Sequence, residues 1–200
     1  MINNSYPLPL AADCFNKLAK AQVFSKIDLR HGYYQVWIAE GDERKTAIVT
    51  RYGSFEFLIM PFELCNVPTT FCTLMNDVLH LYLDSFVVVY LDDIVVYSVN
   101  MEDHKTHLAL VFEVLKKNQL YLKKSKCVLS ENEILFLRHI VDQGYIRMEP
   151  NRVKEIEDWV EPKNVHDMRV FLGMTNYQRK FVEGYSKVTS SLTNLLNKDK

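Results

Sequence analysis

No stretch of this chain reaches the roughly 18 successive uncharged apolar residues that a membrane-spanning helix needs, so a bilayer-embedded protein is not expected. The start lacks the basic segment and apolar run of a secretory signal and instead carries asparagines, prolines and Asp13. Cysteine is sparse: Cys14, Cys65, Cys72 and Cys127 form no CxxC pair and have no histidine partners at zinc-finger spacing. Free thiols in a reducing, intracellular setting fit that spacing better than a disulfide framework. Neither sign of charge is in excess, and a formal net charge of −1 excludes a uniformly basic nucleic-acid coat. No internal repeat or low-complexity segment is present.

What remains is the expectation of a soluble globular protein. Of its 200 residues 48% are hydrophobic, enough for one compact domain or a larger lobe with a small second one. Charge is uneven locally: between Leu115 and Arg138 the chain carries Lys116, Lys117, Lys123, Lys124, Lys126 and Arg138 against Glu131 and Glu133.

Hydrophobic periodicity divides the chain into an α+β lobe up to about Tyr145 and a small helical lobe from about Met148. After an extended opening around Pro7 and Pro9, a short helix is expected over Ala11 to Lys20, and "VFSKIDL" reads as a strand ending near Asp28. "GYYQVWIA" and "KTAIVTRYGSFEFLIM" are β-rich, with a hairpin about Gly53. "NVPTTFCTLMNDVLHLYL" switches to helical spacing, with Pro68 in its first turn and Phe71, Leu74, Met75, Val78 and Leu79 on one face. Met101 to Lys117 is a second such helix, with Leu108, Val111, Phe112 and Leu115 facing inward. His104 and His107 lie on it at i and i+3 with no third ligand nearby, so both are expected to be solvated. Short strands are expected over Leu120 to Leu122 and Ile134 to Val141. Helices then follow with Val153, Ile156 and Val160 on one, Val165, Met168, Phe171 and Leu172 on the next, a break at Pro162, and a third from about Asn176.

One segment resists a purely structural reading. "VVVYLDDIVVYS", residues 87 to 98, sets Asp92 and Asp93 inside what otherwise looks like buried β-structure. Neighbouring strand side chains point to opposite faces, so mid-strand aspartates would drive one carboxylate into the core. A hairpin turn lifts both to a tip, and a turn with solvated acids would suffice, because Asp is common in turns. If the "FSKIDL" strand pairs beside this hairpin, Asp28 brings a third carboxylate to the same sheet edge. Three carboxylates suit Mg²⁺, a hard cation that takes oxygen ligands together with substrate phosphates.

"YLDD" between hydrophobic strands, after "FSKIDLRHGYYQV" and "YGSFEFLIMPFELCNVPTTF", resembles the reverse transcriptase of gypsy-type LTR retrotransposons. The resemblance continues through "HLALVFEVLKKNQLYLKKSKC", "FLRHIV" and "VHDMRVFLGMTNYQRKFVEGYSK", in the family's order. It implies an α+β polymerase palm, an antiparallel sheet backed by helices, with residues 1–35 and 67–147 as palm, 36–66 as partial fingers, and 148–200 as a helical thumb and the start of a connection. It implies RNA-directed addition of dNTPs to a primer 3′-end on an RNA or DNA template, with Asp28, Asp92 and Asp93 holding two Mg²⁺ ions for which Mn²⁺ could substitute. The Leu29 carbonyl would face a metal. Tyr33 would lie under the nucleotide sugar, Phe62 would pack on the incoming nucleotide, and Tyr90 would pack the hairpin near the primer end. Lys126, or failing that Lys124, would protonate the leaving pyrophosphate; Leu137 and Arg138 would touch the primer terminus.

Departures from the pattern qualify those implications. Glu63 stands where the family's "PFGL" has glycine, adding bulk and negative charge near the triphosphate; Arg138 replaces the glycine of "FLGH". The chain begins at Met1 without the family's upstream fingers strands and ends at Lys200 before any RNase H or integrase segment, so it reads as a fragment or degenerate copy of a pol polyprotein. The alternative function is a catalytically inactive relic that keeps the fold and binds template–primer weakly. A metal-dependent nuclease or phosphatase would explain the aspartates but not the other motifs.

Overall fold

Alternation of apolar residues along the β-branched runs builds a four-stranded antiparallel sheet, ordered β4-β5-β1-β6, from β1 (Val23–Asp28), β4 (Val87–Tyr90), β5 (Asp93–Ser98) and β6 (Val128–Glu131). The computed structural model describes residues 9–62 and 64–196; Glu63 and the Pro7 part of the expected extended opening lie outside the described residues. One face of the sheet presents Ser25, Ile27, Val87, Val89, Ile94 and Val96 to α2 (Val67–Leu79) and α3 (Met101–Lys117). Phe71, Met75, Leu79, Val111 and Leu115 interdigitate there with almost no exposure, so the main core lies between the sheet and these two helices. Burying a side chain of this kind contributes about 1.5–3 kcal/mol. On the other face Phe24, Val88 and Val95 are buried, and α1 (Ala11–Leu18) packs near β4.

A separate two-stranded hairpin joins β2 (Ile48–Thr50) to β3 (Gly53–Phe55), with Thr50 opposite Gly53, as the Gly53 signal predicts. The third sheet has the order β7-β8-β9, from β7 (Glu133–Phe136), β8 (His139–Asp142) and β9 (Tyr145–Met148). The helical tail comprises α4 (Pro150–Glu157), α5 (Val165–Tyr177) and α6 (Tyr185–Asn194). By contact the chain forms two units: one runs to Leu137 and takes in Val141–Tyr145, the other comprises Arg138–Ile140 and the chain from Ile146 onward. No helix among the described residues is long and apolar enough to cross a membrane.

Several expectations are corrected. "GYYQVWIA" is not a strand: Gly32–Gln35 forms a 3₁₀ turn, and only Trp37 bridges to Ile59. His31, just before it, takes a left-handed φ of 51° that breaks an extended run, and Gly32 lies so close to Phe71 that a Cβ would come 3.0 Å from its Cζ. Of Leu120 to Leu122, only Leu122 pairs, in an isolated bridge with Leu29. Ile134 to Val141 is two strands because Leu137 and Arg138 both take left-handed φ, 47° and 61°, which turns the chain back. Val160 lies beyond α4, which ends before Pro162. Helix α5 runs through Asn176 to Tyr177, and the next α-helix begins only at Tyr185, after Gly184 at φ 63°.

The largest correction concerns His104, which is fully buried rather than solvated. Its Nε2 lies 2.7 Å from Ser25 Oγ and its Nδ1 2.9 Å from Ser98 Oγ, while Ser98 Oγ is 2.8 Å from His107 Nδ1. Ser25 Oγ accepts the Ser130 N–H at 2.8 Å, so its own hydrogen is free to go to His104 Nε2, leaving the ring proton on Nδ1 for Ser98. The neutral ring satisfies every partner, and helix periodicity could not reveal that its partners come from β1 and β5. His107 stacks on Phe86 with centroids 3.8 Å apart.

Burial, and secondarily His107, lowers the His104 pKa below its ordinary 6.5; burial also lowers that of His107, with Asp103 opposing. As pH falls, the unfolded chain therefore takes up these protons first. Stability should be intact above about pH 6.5 and decline progressively below it, towards the lowered folded-state values. Urea unfolding across that window should show the decline, and His104→Gln should flatten it. A wild-type stability that is level or rises on acidification through the window would contradict this role.

Candidate functional site

The register of three strands builds the site. Asp28 at the end of β1 is the Cα partner of Asp93 at the start of β5, and Asp93 is the partner of Tyr90 at the end of β4. Opposed residues share a face, so Tyr90, Asp93 and Asp28 form one row across the sheet on the side away from α2 and α3. The next row inward is Val88, Val95 and Lys26. The hairpin turn consists of Leu91 and Asp92, with Leu91 at φ 54°, a conformation that costs a residue with a Cβ about 1–2 kcal/mol.

The backbone of Asp28 makes its outward bonds on the β6 side: its carbonyl accepts the Lys123 N–H at 2.9 Å, and its N–H lies 3.5 Å from Cys127 Sγ. Asp28 and Asp93 are therefore a non-hydrogen-bonded pair, the arrangement in which Cα atoms approach to about 4.5 Å and side chains crowd. Like charges so placed repel, and each is met by a lysine. Lys26 Nζ lies 2.9 Å from Asp93 Oδ1, with both side chains about three-quarters buried at 24% and 26% exposure. Lys126 Nζ lies 3.7 Å from Asp28 Oδ2 and is itself 58% exposed.

Asp92 is exposed on the hairpin turn, outside that opposed pair, and makes no ion pair among the described residues. Its charge reaches the other way. Burial pushes the Tyr33 hydroxyl above its ordinary value and Asp92 adds to this. The Cys72 thiol is raised first by burial, with the Leu91 backbone opposing and Asp92 adding. The aspartates and the Leu29 carbonyl make an all-oxygen donor set, which suits a hard divalent cation. Among the described residues, however, no three His, Cys, Asp or Glu side chains are gathered as one ion would need. Register brings Asp28 and Asp93 to one sheet end, where each meets a lysine, and the hairpin turn carries Asp92 next to Asp93.

The neighbouring segment is tied down by Gln35. Its Nε2 donates to the carbonyls of Arg30 (2.7 Å) and Tyr121 (3.0 Å), and its Oε1 accepts the Tyr121 N–H (2.7 Å). Leu29, almost fully buried, faces Leu122 in a bridge whose hydrogen bonds run from Arg30 N–H to Tyr121 and from Lys123 N–H to Asp28. In that pattern the Leu29 carbonyl points away from the 121–123 segment, towards the β5 side where Asp93 begins. Tyr33 meets Phe62 and Phe71 edge-on at 4.8 and 4.9 Å, and Tyr34 meets Phe62 at 5.2 Å. Phe62 remains 52% exposed, so this aromatic cluster offers an open apolar surface beside Asp92.

Leu137 and Arg138 form the β7–β8 turn. Of the two lysines considered from the sequence, Lys126 is the one beside Asp28. Lys26 and Gln35 escaped the sequence reading. Lys26 was legible in principle as the i−2 neighbour of Asp28 on the same strand face, whereas the Gln35 clamp depends on contacts 86 residues apart.

The chain is similar to known proteins along almost its whole length. The family model described as reverse transcriptase (RNA-dependent DNA polymerase) matches residues 2–141. The chain is 38% identical over 197 residues to the retrovirus-related Pol polyprotein from transposon 297 of Drosophila melanogaster, covering 98% of this chain and 19% of that protein. It is 58% identical over 115 residues to an RNA-directed DNA polymerase homolog of Oenothera berteroana, covering 56% of this chain and 81% of that one. The fold superposes on a foamy viral protease-reverse transcriptase in complex with double-stranded DNA with a TM-score of 0.91, at 21% identity over 100% of this chain and 35% of that one. The chain spans less than a fifth of the length of the transposon polyproteins it matches.

At φ 61°, Arg138 occupies a position where glycine carries no steric cost. Arg138→Gly should stabilise the protein by about 0.5–1 kcal/mol, the left-handed penalty less the extra freedom of glycine in the unfolded chain. Thermal or urea unfolding checks this; a loss of stability would mean that the arginine side chain supports the turn.

Proposed function

The chain belongs to the reverse transcriptase (RNA-dependent DNA polymerase) family, and on that premise we propose that it is the palm and thumb portion of a gypsy-type retrotransposon polymerase. It would add dNTPs to a primer 3′-end on an RNA or DNA template, inside the cell, as part of a pol polyprotein that also carries RNase H and integrase. The observation that carries this reading is the register of Asp28 against Asp93 beside the hairpin turn that bears Asp92.

In this reading Asp28, Asp92, Asp93 and the Leu29 carbonyl would hold two Mg²⁺ ions, with Mn²⁺ a substitute. Such ions supply the positive charge that makes the primer hydroxyl nucleophilic and stabilises the leaving pyrophosphate. The primer 3′-hydroxyl gives its proton to water, its oxygen forms a bond to the α-phosphorus, and the bond from that phosphorus to the pyrophosphate oxygen breaks. Lys126, whose Nζ already lies 3.7 Å from Asp28, delivers a proton from that atom to the pyrophosphate. The Tyr33 ring, wedged between Phe62 and Phe71, supports the nucleotide sugar and blocks a 2′-hydroxyl, while exposed Phe62 packs on the nucleotide. Tyr90, next to the hairpin turn, packs near the primer end; Leu137 and Arg138 contact the primer backbone. Residues 36–66 act as partial fingers and 148–200 as thumb, whose contacts go mostly to the duplex backbone because a polymerase accepts every sequence.

Primer extension on an RNA template with Mg²⁺ tests the function. Wild type should extend, and Asp92→Asn/Asp93→Asn should fall to background. Absence of extension in the wild type, with salt-sensitive duplex binding retained, would leave an inherited site without polymerase activity. In single-nucleotide incorporation, Lys126→Ala should lower the rate about 100-fold and Lys124→Ala less than about twofold. Equal losses in the two variants would remove Lys126 from the proton-donor role.

A further inference from the structure

Lys26 belongs to no part of the polymerase chemistry described so far, yet it makes the closest ion pair at the acidic row. Strand register puts it there: its Cα partners are Val95 on β5 and Val128 on β6, and it shares a face with Asp28 two residues on. Its stem therefore lies among apolar side chains while the ammonium reaches diagonally to Asp93 Oδ1, 2.9 Å away. Lys126 is a looser partner for Asp28, farther away and more than twice as exposed. The repulsion built into the Asp28–Asp93 pair is offset chiefly from within the sheet, by Lys26.

We propose that Lys26 is a positioning residue: a resident counter-cation that holds the Asp93 carboxylate in place and that a divalent ion must displace. The proposal rests on the metal-site reading above. An ammonium and a divalent ion at one carboxylate repel strongly in a site of reduced dielectric, so the two occupancies exclude each other. The flexible four-carbon stem of lysine lets the ammonium withdraw once displaced. Lys26 thereby weakens the site for a free ion. An ion already bound to a triphosphate has part of its charge offset by the phosphates and meets less repulsion, so the site favours metal that arrives with nucleotide.

The test is Mn²⁺ binding by the full chain, without nucleotide or template, followed by the electron paramagnetic resonance of free Mn²⁺. Lys26→Met should bind Mn²⁺ about tenfold more tightly than wild type, because the competing charge is gone. Lys26→Arg keeps the charge and should stay within about threefold of wild type. In an Asp93→Asn background, Lys26→Met should change affinity little, since the carboxylate over which the cations compete is absent. Lys26→Gln provides a second neutral variant should the methionine variant fail to fold. Unchanged or weaker binding in folded neutral variants overturns the proposal, as does a gain that persists in the Asp93→Asn background. No binding in either wild type or the neutral variants overturns the metal-site reading, and the proposal with it.

Discussion

Two carboxylates pressed side by side by strand register are the constraint on which the rest of this structure turns. Asp28 faces Asp93 across the non-hydrogen-bonded gap between β1 and β5, where side chains stand closest and like charges cost most. A sheet tolerates that only if the row is the last one, open to solvent and cations, and if the rows behind it are well packed. Both conditions hold. The row ends at the hairpin turn, and inward of it Val88 and Val95 are buried on the same face while α2 and α3 cover the other.

The surroundings follow from the need to hold such a row still. Lys26 and Lys126 neutralise the pair, Gln35 clamps the chain after Asp28 to the backbone at Tyr121, and Cys127 and Lys123 occupy the Asp28 backbone from the β6 side. Beneath the sheet, Ser25 on β1 and Ser98 on β5 are joined through His104, which ties the two strands carrying the acids to α3. A polar network of this kind suits a buried position only when every member is satisfied, and here the neutral ring satisfies it. The strain of a left-handed Leu91 falls at the tip that presents Asp92, where it can shape the site.

Much of this was legible in the sequence because it is local. Period-2 and period-3.6 patterns place β1, β4, β5, α1, α2 and α3, and the break between "VVVY" and "IVVYS" marks a hairpin whose tip must carry the acids. The pairing of the "FSKIDL" strand with that hairpin could be posed as a condition, and it holds. The misreadings came where tertiary contacts overrode local pattern. The run after Gly32 is β-rich in composition but is drawn into a 3₁₀ turn under Phe71, and the helical spacing of His104 gives no sign of the serines that receive it.

By itself the sequence determined which candidate residues are present and in what order they occur: three aspartates, a lysine-rich segment, and aromatics spaced among them. Those are properties of residue type and short-range periodicity, and the motifs carry them intact. Only the tertiary structure decided that Asp28 and Asp93 are opposed while Asp92 stands apart, that Lys26 and Lys126 rather than Lys124 meet the acids, and that His104 is buried. Each depends on which strands become neighbours and in what register, a choice made by burying Ile27, Val89, Ile94 and Val96 against two helices. A slip of one residue would have kept every motif and turned each of these side chains to the opposite face.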